Sequence, residues 1–158
     1  MNVLLHICTD FASVDLYSNK LSLFNIIEEL NAASFPVFLQ QFTIVTMLER
    51  TEDEPDSVIG SFKVTFDSRN KELFETSIEF KFQQHLRTRN ISNFSGLLLP
   101  APGRLSIELY LDGNIASSWP IHVNQIGQPE ITSRAVPSDG KTSRIASAKK
   151  VASKKSKS

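Results

Sequence analysis

The chain has 158 residues, with 17 Lys plus Arg against 17 Asp plus Glu, so its formal net charge is zero. At 41% hydrophobic and 22% charged residues it has an ordinary globular composition, which excludes collagen-like, coiled-coil and wholly disordered classes. The zero is a cancellation: residues 1–127 carry 9 basic and 15 acidic side chains, and residues 128–158 carry 8 basic and 2 acidic ones.

Up to about residue 126 the dominant pattern is alternation with a period of two, the signature of half-buried strands. Val3, Leu5 and Ile7 fall on one face of the first predicted strand, and Leu21, Leu23, Asn25 and Ile27 on one face of the second. The stretch from Asn25 to Ala33 is the one short helical candidate. Phe35-Pro36 then stops the segment, since proline lacks an amide donor and restricts the residue before it. Phe42, Ile44, Thr46 and Leu48 alternate with Thr43, Val45, Met47 and Glu49 in a third strand. The polar stretch Thr51-Glu-Asp-Glu-Pro-Asp-Ser57 reads as an acidic loop.

Beyond that loop, Phe62, Val64 and Phe66 form another alternating run. Phe74, Thr76, Ile78, Phe80 and Phe82 then oppose Glu75, Ser77, Glu79 and Lys81, which predicts one face on a core and one in water. The pattern weakens over Leu86 to Leu99, predicting a less regular or edge strand. Pro100-Ala-Pro-Gly103 has turn chemistry. Leu105, Ile107, Leu109 and Leu111 follow, with Tyr110 expected to face solvent. Asp112-Gly113-Asn114 is a type I′ hairpin signal, because both central residues accept positive φ. It leads into a last strand with Ser117, Trp119, Ile121 and Val123 in one register, the tryptophan expected to complete a core. Seven or eight strands joined by short turns predict an all-β fold, an antiparallel β-sandwich over 1–127. A closed barrel is the alternative.

From Gln128 the character changes. Residues 128–158 are rich in Ser, Ala, Lys and Pro and contain no aromatic residue. So little apolar surface cannot offset backbone ordering at about 1–2 kcal/mol per residue, and the segment is expected to be a disordered tail. Its last ten residues hold five lysines, Lys149, Lys150, Lys154, Lys155 and Lys157, and no acid.

Two stretches carry a family resemblance. Asn19-Lys-Leu-Ser-Leu-Phe-Asn-Ile-Ile27, leading to Ser34-Phe35-Pro36, resembles the "gkLsliGi"-like strand and "fP" stop of a bacterial family of small proteins of unknown function. Leu99-Pro-Ala-Pro-Gly-Arg-Leu-Ser-Ile-Glu-Leu-Tyr-Leu-Asp-Gly-Asn114 resembles that family's proline-glycine turn, strand and "DG" hairpin. The resemblance covers about residues 3–126 and departs at Asn25, which replaces the usual small residue, and in the weak sixth strand. It implies a β-sandwich and no activity, so no functional residue carries over.

The residues able to do chemistry are few. His6 and Cys8 share a strand face at a spacing that suits two metal ligands, but zinc needs three or four and no second pair is visible. His85 and His122 stand alone in sequence. Glu52, Asp53, Glu54 and Asp56 are dense enough to attract Ca²⁺ yet lack a glycine-centred ligand loop. No phosphate-cradling loop, nucleophile elbow or H-E-x-x-H motif is present. The two glycosylation sequons, Asn90-Ile91-Ser92 and Asn93-Phe94-Ser95, follow no signal-like N-terminus. A single cysteine suits a reducing compartment, and no apolar run reaches 18 residues, so a cytoplasmic location is expected. No cofactor is implied.

These observations predict a non-enzymatic binding or structural module. A protein partner is expected on a sheet face or edge, with Arg87 to Ser95 as the candidate for strand addition. The five tail lysines are expected to bind nucleic acid or another polyanion, or to associate loosely with the chain's own acidic domain. A membrane ranks below nucleic acid, because no amphipathic helix or lipid motif accompanies them. The alternative is a metal-dependent or hydrolytic enzyme using Cys8, the three histidines and the acidic loop 52–56.

Overall fold

The computed structural model describes residues 1–66 and 71–127, and the predicted basic tail lies outside them. Nine strands and no helix occur among the described residues: β1 Asn2–Val14, β2 Leu21–Ile26, β3 Glu29–Ala32, β4 Val37–Glu49, β5 Ser57–Phe66, β6 Lys71–Lys81, β7 Arg87–Leu99, β8 Gly103–Leu111 and β9 Asn114–Gln125. They form a four-stranded sheet in the order β2-β1-β4-β7 and a five-stranded sheet in the order β3-β9-β8-β5-β6. The sandwich expected from the alternation is therefore present. Eight of its strands are joined in antiparallel pairs, while β3 runs parallel to β9.

Burial follows the period-two pattern through most of the chain. Phe42, Ile44 and Leu48 of β4 face Phe62 and Val64 of β5, Phe80 of β6, Leu105, Ile107 and Leu109 of β8, and Ile121 and Val123 of β9 in one inter-sheet core. Aromatic rings run through it. Phe94 of β7 stacks on Phe42 at 5.3 Å and meets Phe62 edge-on at 6.3 Å, so the edge of one sheet is anchored in the layer shared by both. Gly60 is required where β5 meets β8, since a Cβ there would lie 2.5 Å from the Tyr110 carbonyl oxygen. Trp119 packs on the core as expected, and its indole N–H donates to the Ile27 carbonyl at 2.8 Å.

Two expectations are corrected at the start of the chain. Val3, Leu5 and Ile7 do not share a face, because a β-bulge between Val3 and Leu5 resets the alternation. Val3 joins the inter-sheet core while Leu5 and Ile7 join a second apolar cluster, and the reset turns His6 and Cys8 inward. The helical candidate from Asn25 to Ala33 is the tail of β2 followed by β3. Here tertiary pairing overrides local propensity: the edge of β9 offers a ladder, with the His122 amide donating to the Glu28 carbonyl and the Ile126 amide to that of Ala32. Asn25 itself adopts φ 54°, a left-handed conformation that glycine and asparagine tolerate best. The departure from the family pattern at this position is thus conformationally conservative.

The second cluster lies on the other face of the four-stranded sheet. Ala12 of β1 and Leu21 and Leu23 of β2 pack with Ile7, Val45 and Ile91, so the far half of the β1–β2 hairpin folds over β4 and β7. Its turn is held by Asp15, whose Oδ1 accepts from the amides of Tyr17 and Ser18 and from the Ser18 hydroxyl. Those bonds, the Ser18 amide first, draw the Asp15 carboxyl below its ordinary pKa. At the C-terminal hairpin Asp112 and Gly113 both have positive φ, as the type I′ signal requires.

Candidate functional site

The four sheet edges are β2 and β7 in one sheet, β3 and β6 in the other. β3 has 4 residues and β2 has 6, whereas β6 has 11 and β7 has 13. Length alone leaves β6 and β7 as templates for an added strand. β6 projects Glu75, Ser77 and Glu79 outward, all exposed, and charges on an edge disfavour pairing with another chain. β7 differs: Asn90-Ile-Ser-Asn-Phe-Ser95 carries no charge, and its only ladder among the described residues is with β4, in continuous register from Val37↔Leu99 to Glu49↔Arg87. The predicted edge character of Arg87 to Ser95 is therefore present. Its predicted irregularity is confined to one place. Between Phe94 and Leu97 the inward-facing residues switch parity, as they do between Leu39 and Phe42 of β4, and Gly96 at φ 82° sits at the switch.

At its N-terminal end β7 opens onto a cleft of about 280 Å³ lined by Asn19, Met47, Lys81, Phe82, Gln83, His85, Arg87, Thr88 and Arg89. Its rim is the β6–β7 turn, closed by a His85 amide to Phe82 carbonyl bond of 2.9 Å. Gln83 and Gln84 both have positive φ there, at 52° and 66°, a cost normally avoided with glycine or asparagine. The turn is held in place from outside. The Gln84 amide donates to Asp56 Oδ1 at 2.7 Å, and the Phe82 amide to the Asp56 carbonyl at 2.8 Å. The Arg50 guanidinium lies over the Phe82 ring at 5.6 Å and donates to the carbonyls of His85 and Glu54 and to Asp56. The acidic loop buttresses this turn through Asp56 and the Glu54 carbonyl.

Three cations line the cleft and differ in how they are held. Lys81 pairs with Glu79 at 3.0 Å, and Arg87 pairs with Glu49 through both Nε and Nη2. Arg89 has no carboxylate partner within reach among the described residues: its Nη2 donates to Asn19 Oδ1 at 2.7 Å and its Nη1 to the Asn19 carbonyl at 3.5 Å. Asn19 sits at φ 54° in the β1–β2 turn. Leu16 and Tyr17, on the same turn, are fully exposed.

Of the residues of the enzymatic alternative, His6 and Cys8 both turn inward from β1, while His85 and His122 are exposed on other elements. His6 spans the two sheets. Its Nε2 donates to the Ile107 carbonyl at 3.1 Å, which leaves Nδ1 to accept from the Thr46 hydroxyl at 3.0 Å. Burial holds its pKa below the ordinary value, partly offset by the Ile107 bond. Cys8 is wholly buried, and burial, with Asp10 adding to it, pushes its thiol up to about 12, so it stays protonated at neutral pH. His85 is exposed in the β6–β7 turn and His122 on the outer face of β9. No group of three or more His, Cys, Asp or Glu suited to a metal occurs among the described residues. No helix among them is long and apolar enough to cross a membrane. Lys149, Lys150, Lys154, Lys155 and Lys157 lie outside the described residues. Sequence reasoning missed the cleft, although the alternation of Arg87 and Arg89 on one face of an edge strand was there to be read.

The chain matches the model of a family of unknown function, DUF6941, over residues 4–124. The chain belongs to this family. The match touches all nine strands, missing only the first residues of β1 and the last of β9, in agreement with the resemblance carried by the β2 and β8–β9 motifs. No curated protein matches the chain. Among solved structures it is similar to the Pseudomonas fluorescens alkylpurine DNA glycosylase AlkC bound to DNA containing an abasic site analog, at 12% identity and a TM-score of 0.39. That likeness covers 61% of this chain and 27% of the glycosylase, and at so low a score the two need not share a fold.

Proposed function

We propose that this family member is a non-enzymatic binding module whose β7 edge accepts an extended segment of a protein partner as a fifth strand of the β2-β1-β4-β7 sheet. The observation that carries this reading is the 13-residue edge strand with an uncharged centre and a ladder on one side only. Main-chain hydrogen bonds would supply affinity, and the side chains at either end would supply selectivity. The separation of Cys8, His85 and His122 supports a role in binding over one in catalysis. The tail lysines 149, 150, 154, 155 and 157 add a sequence-independent affinity for nucleic acid or another polyanion, supported by the excess of 8 basic over 2 acidic residues in 128–158.

A photocrosslinking amino acid placed at Ser95 in the full chain, in living cells, is expected to give a protein adduct, and one at Ser77 on β6 none. Adducts at Ser77 without any at Ser95 would overturn the assignment of the edge. For the tail, replacing its five terminal lysines with glutamine is expected to abolish retention of the full chain on heparin or DNA at low salt. Retention that survives the replacement sinks the polyanion role.

A further inference from the structure

We infer that the segment accepted by β7 is acidic at one end, and that Arg89 is the residue that reads its carboxylate. This rests on the strand-addition reading and specifies its ligand chemistry. The cleft at the N-terminal end of β7 is lined by Lys81, His85, Arg87 and Arg89 and, among the described residues, by no carboxylate. Two of its cations are already neutralised by Glu79 and Glu49. Among the described residues Arg89 is held by the neutral oxygens of Asn19, which orient the guanidinium without cancelling its charge. A planar guanidinium fixed in this way is suited to bidentate recognition of a carboxylate.

Position ties the cation to the edge. Arg89 is one residue from Asn90, where the uncharged stretch of β7 begins, so an added strand lying along Asn90–Ser95 ends beside the cleft. The cleft is built at a cost, since Gln83 and Gln84 on its rim and Asn19 on its opposite wall all hold left-handed backbone conformations. Asp56 and Arg50 fix that rim from the far side without entering the cleft. A partner's acidic side chain would accept from Arg89 while His85 and Arg87 border the same space.

The test uses the full chain and blocked octapeptides of alternating Thr and Val, carrying Glu-Glu, Gln-Gln or Lys-Lys at either terminus in turn. Binding is read by titration of backbone amide resonances. The Glu-Glu peptide with the correct terminus is expected to bind about tenfold more tightly than its Gln-Gln counterpart, as one charge-assisted pair allows. Arg89→Gln should erase that difference, and in the unaltered protein added salt should narrow it. Equal binding of the Glu-Glu and Gln-Gln peptides, with shifts still confined to Asn90–Ser95, overturns the acidic-end inference and leaves the edge reading standing. Shifts absent from β7 with every peptide overturn both. A single-stranded thymidine octamer that displaces the Glu-Glu peptide from Arg89 would assign the cleft to phosphate instead of peptide carboxylate.

Discussion

β6 and β7 are the two long edges of the sandwich, and they are anchored alike but finished differently. Each sends phenylalanines into the shared core: Phe74, Phe80 and, just past the strand, Phe82 from the β6 side, and Phe94 from β7. Outward, β6 shows Glu75 and Glu79, with Lys63 of β5 beside it paired to Glu72 at 2.7 Å. The centre of β7 shows asparagine and serine, and its charges are gathered at one end. The difference separates two problems that an edge strand must solve. Ring packing holds the strand on the protein, and outer charge decides whether another chain can join it.

The largest expected effects test the shared half of this comparison. Phe80→Ala, at a residue 1% exposed, should cost about 3–5 kcal/mol in urea denaturation, and Phe94→Ala, at a half-buried residue, a smaller amount of about 2–3 kcal/mol. If Phe94→Ala costs nothing, β7 is not held by the core as described. Acid comes next and should act on both edges together, because His6 ties the sheets to each other. Its folded-state pKa is below the unfolded value near 6.5, so the unfolded chain takes up the proton first. Stability from this group is complete above about pH 6.5 and is lost as pH falls from there toward the folded pKa. His6→Gln should flatten that part of the stability profile, and an unchanged slope would remove His6 as its source.

Smaller changes test the half that differs. Glu75→Thr with Glu79→Thr should alter stability by less than about 1 kcal/mol, since exposed charges contribute little. It should nonetheless make β6 open to pairing, visible as concentration-dependent self-association in sedimentation. A strictly monomeric double variant would show that charge is not what protects β6. Ser95→Glu should change stability by less than about 0.5 kcal/mol while weakening strand addition at β7. Equal crosslinking or peptide binding by this variant would mean that outer charge does not govern β7 either.

Much of this architecture was legible in the residues. Alternation in Phe42–Leu48, Phe74–Phe82 and Leu105–Leu111 gave strands and facing, and Asp112-Gly113 gave a turn type. Illegible were features decided by partners distant in sequence. A bulge at Val3–Leu5 reversed the facing of His6 and Cys8, and the edge of β9 drew Glu29–Ala32 into a parallel strand where local propensity favoured a helix. The weak pattern over Leu86–Leu99 was correctly informative, because an edge strand lacks the burial that enforces strict alternation. The cleft depends on Asn19 meeting Arg89 across 70 positions, and no local pattern encodes that contact.

The most direct test of the central claim is amide-shift mapping of the full chain with the Glu-Glu strand peptide. Shifts confined to Asn90–Ser95 and the adjoining Arg87–Arg89 are predicted, with β6 silent. Shifts running along Phe74–Phe80 instead, with β7 silent, would contradict it.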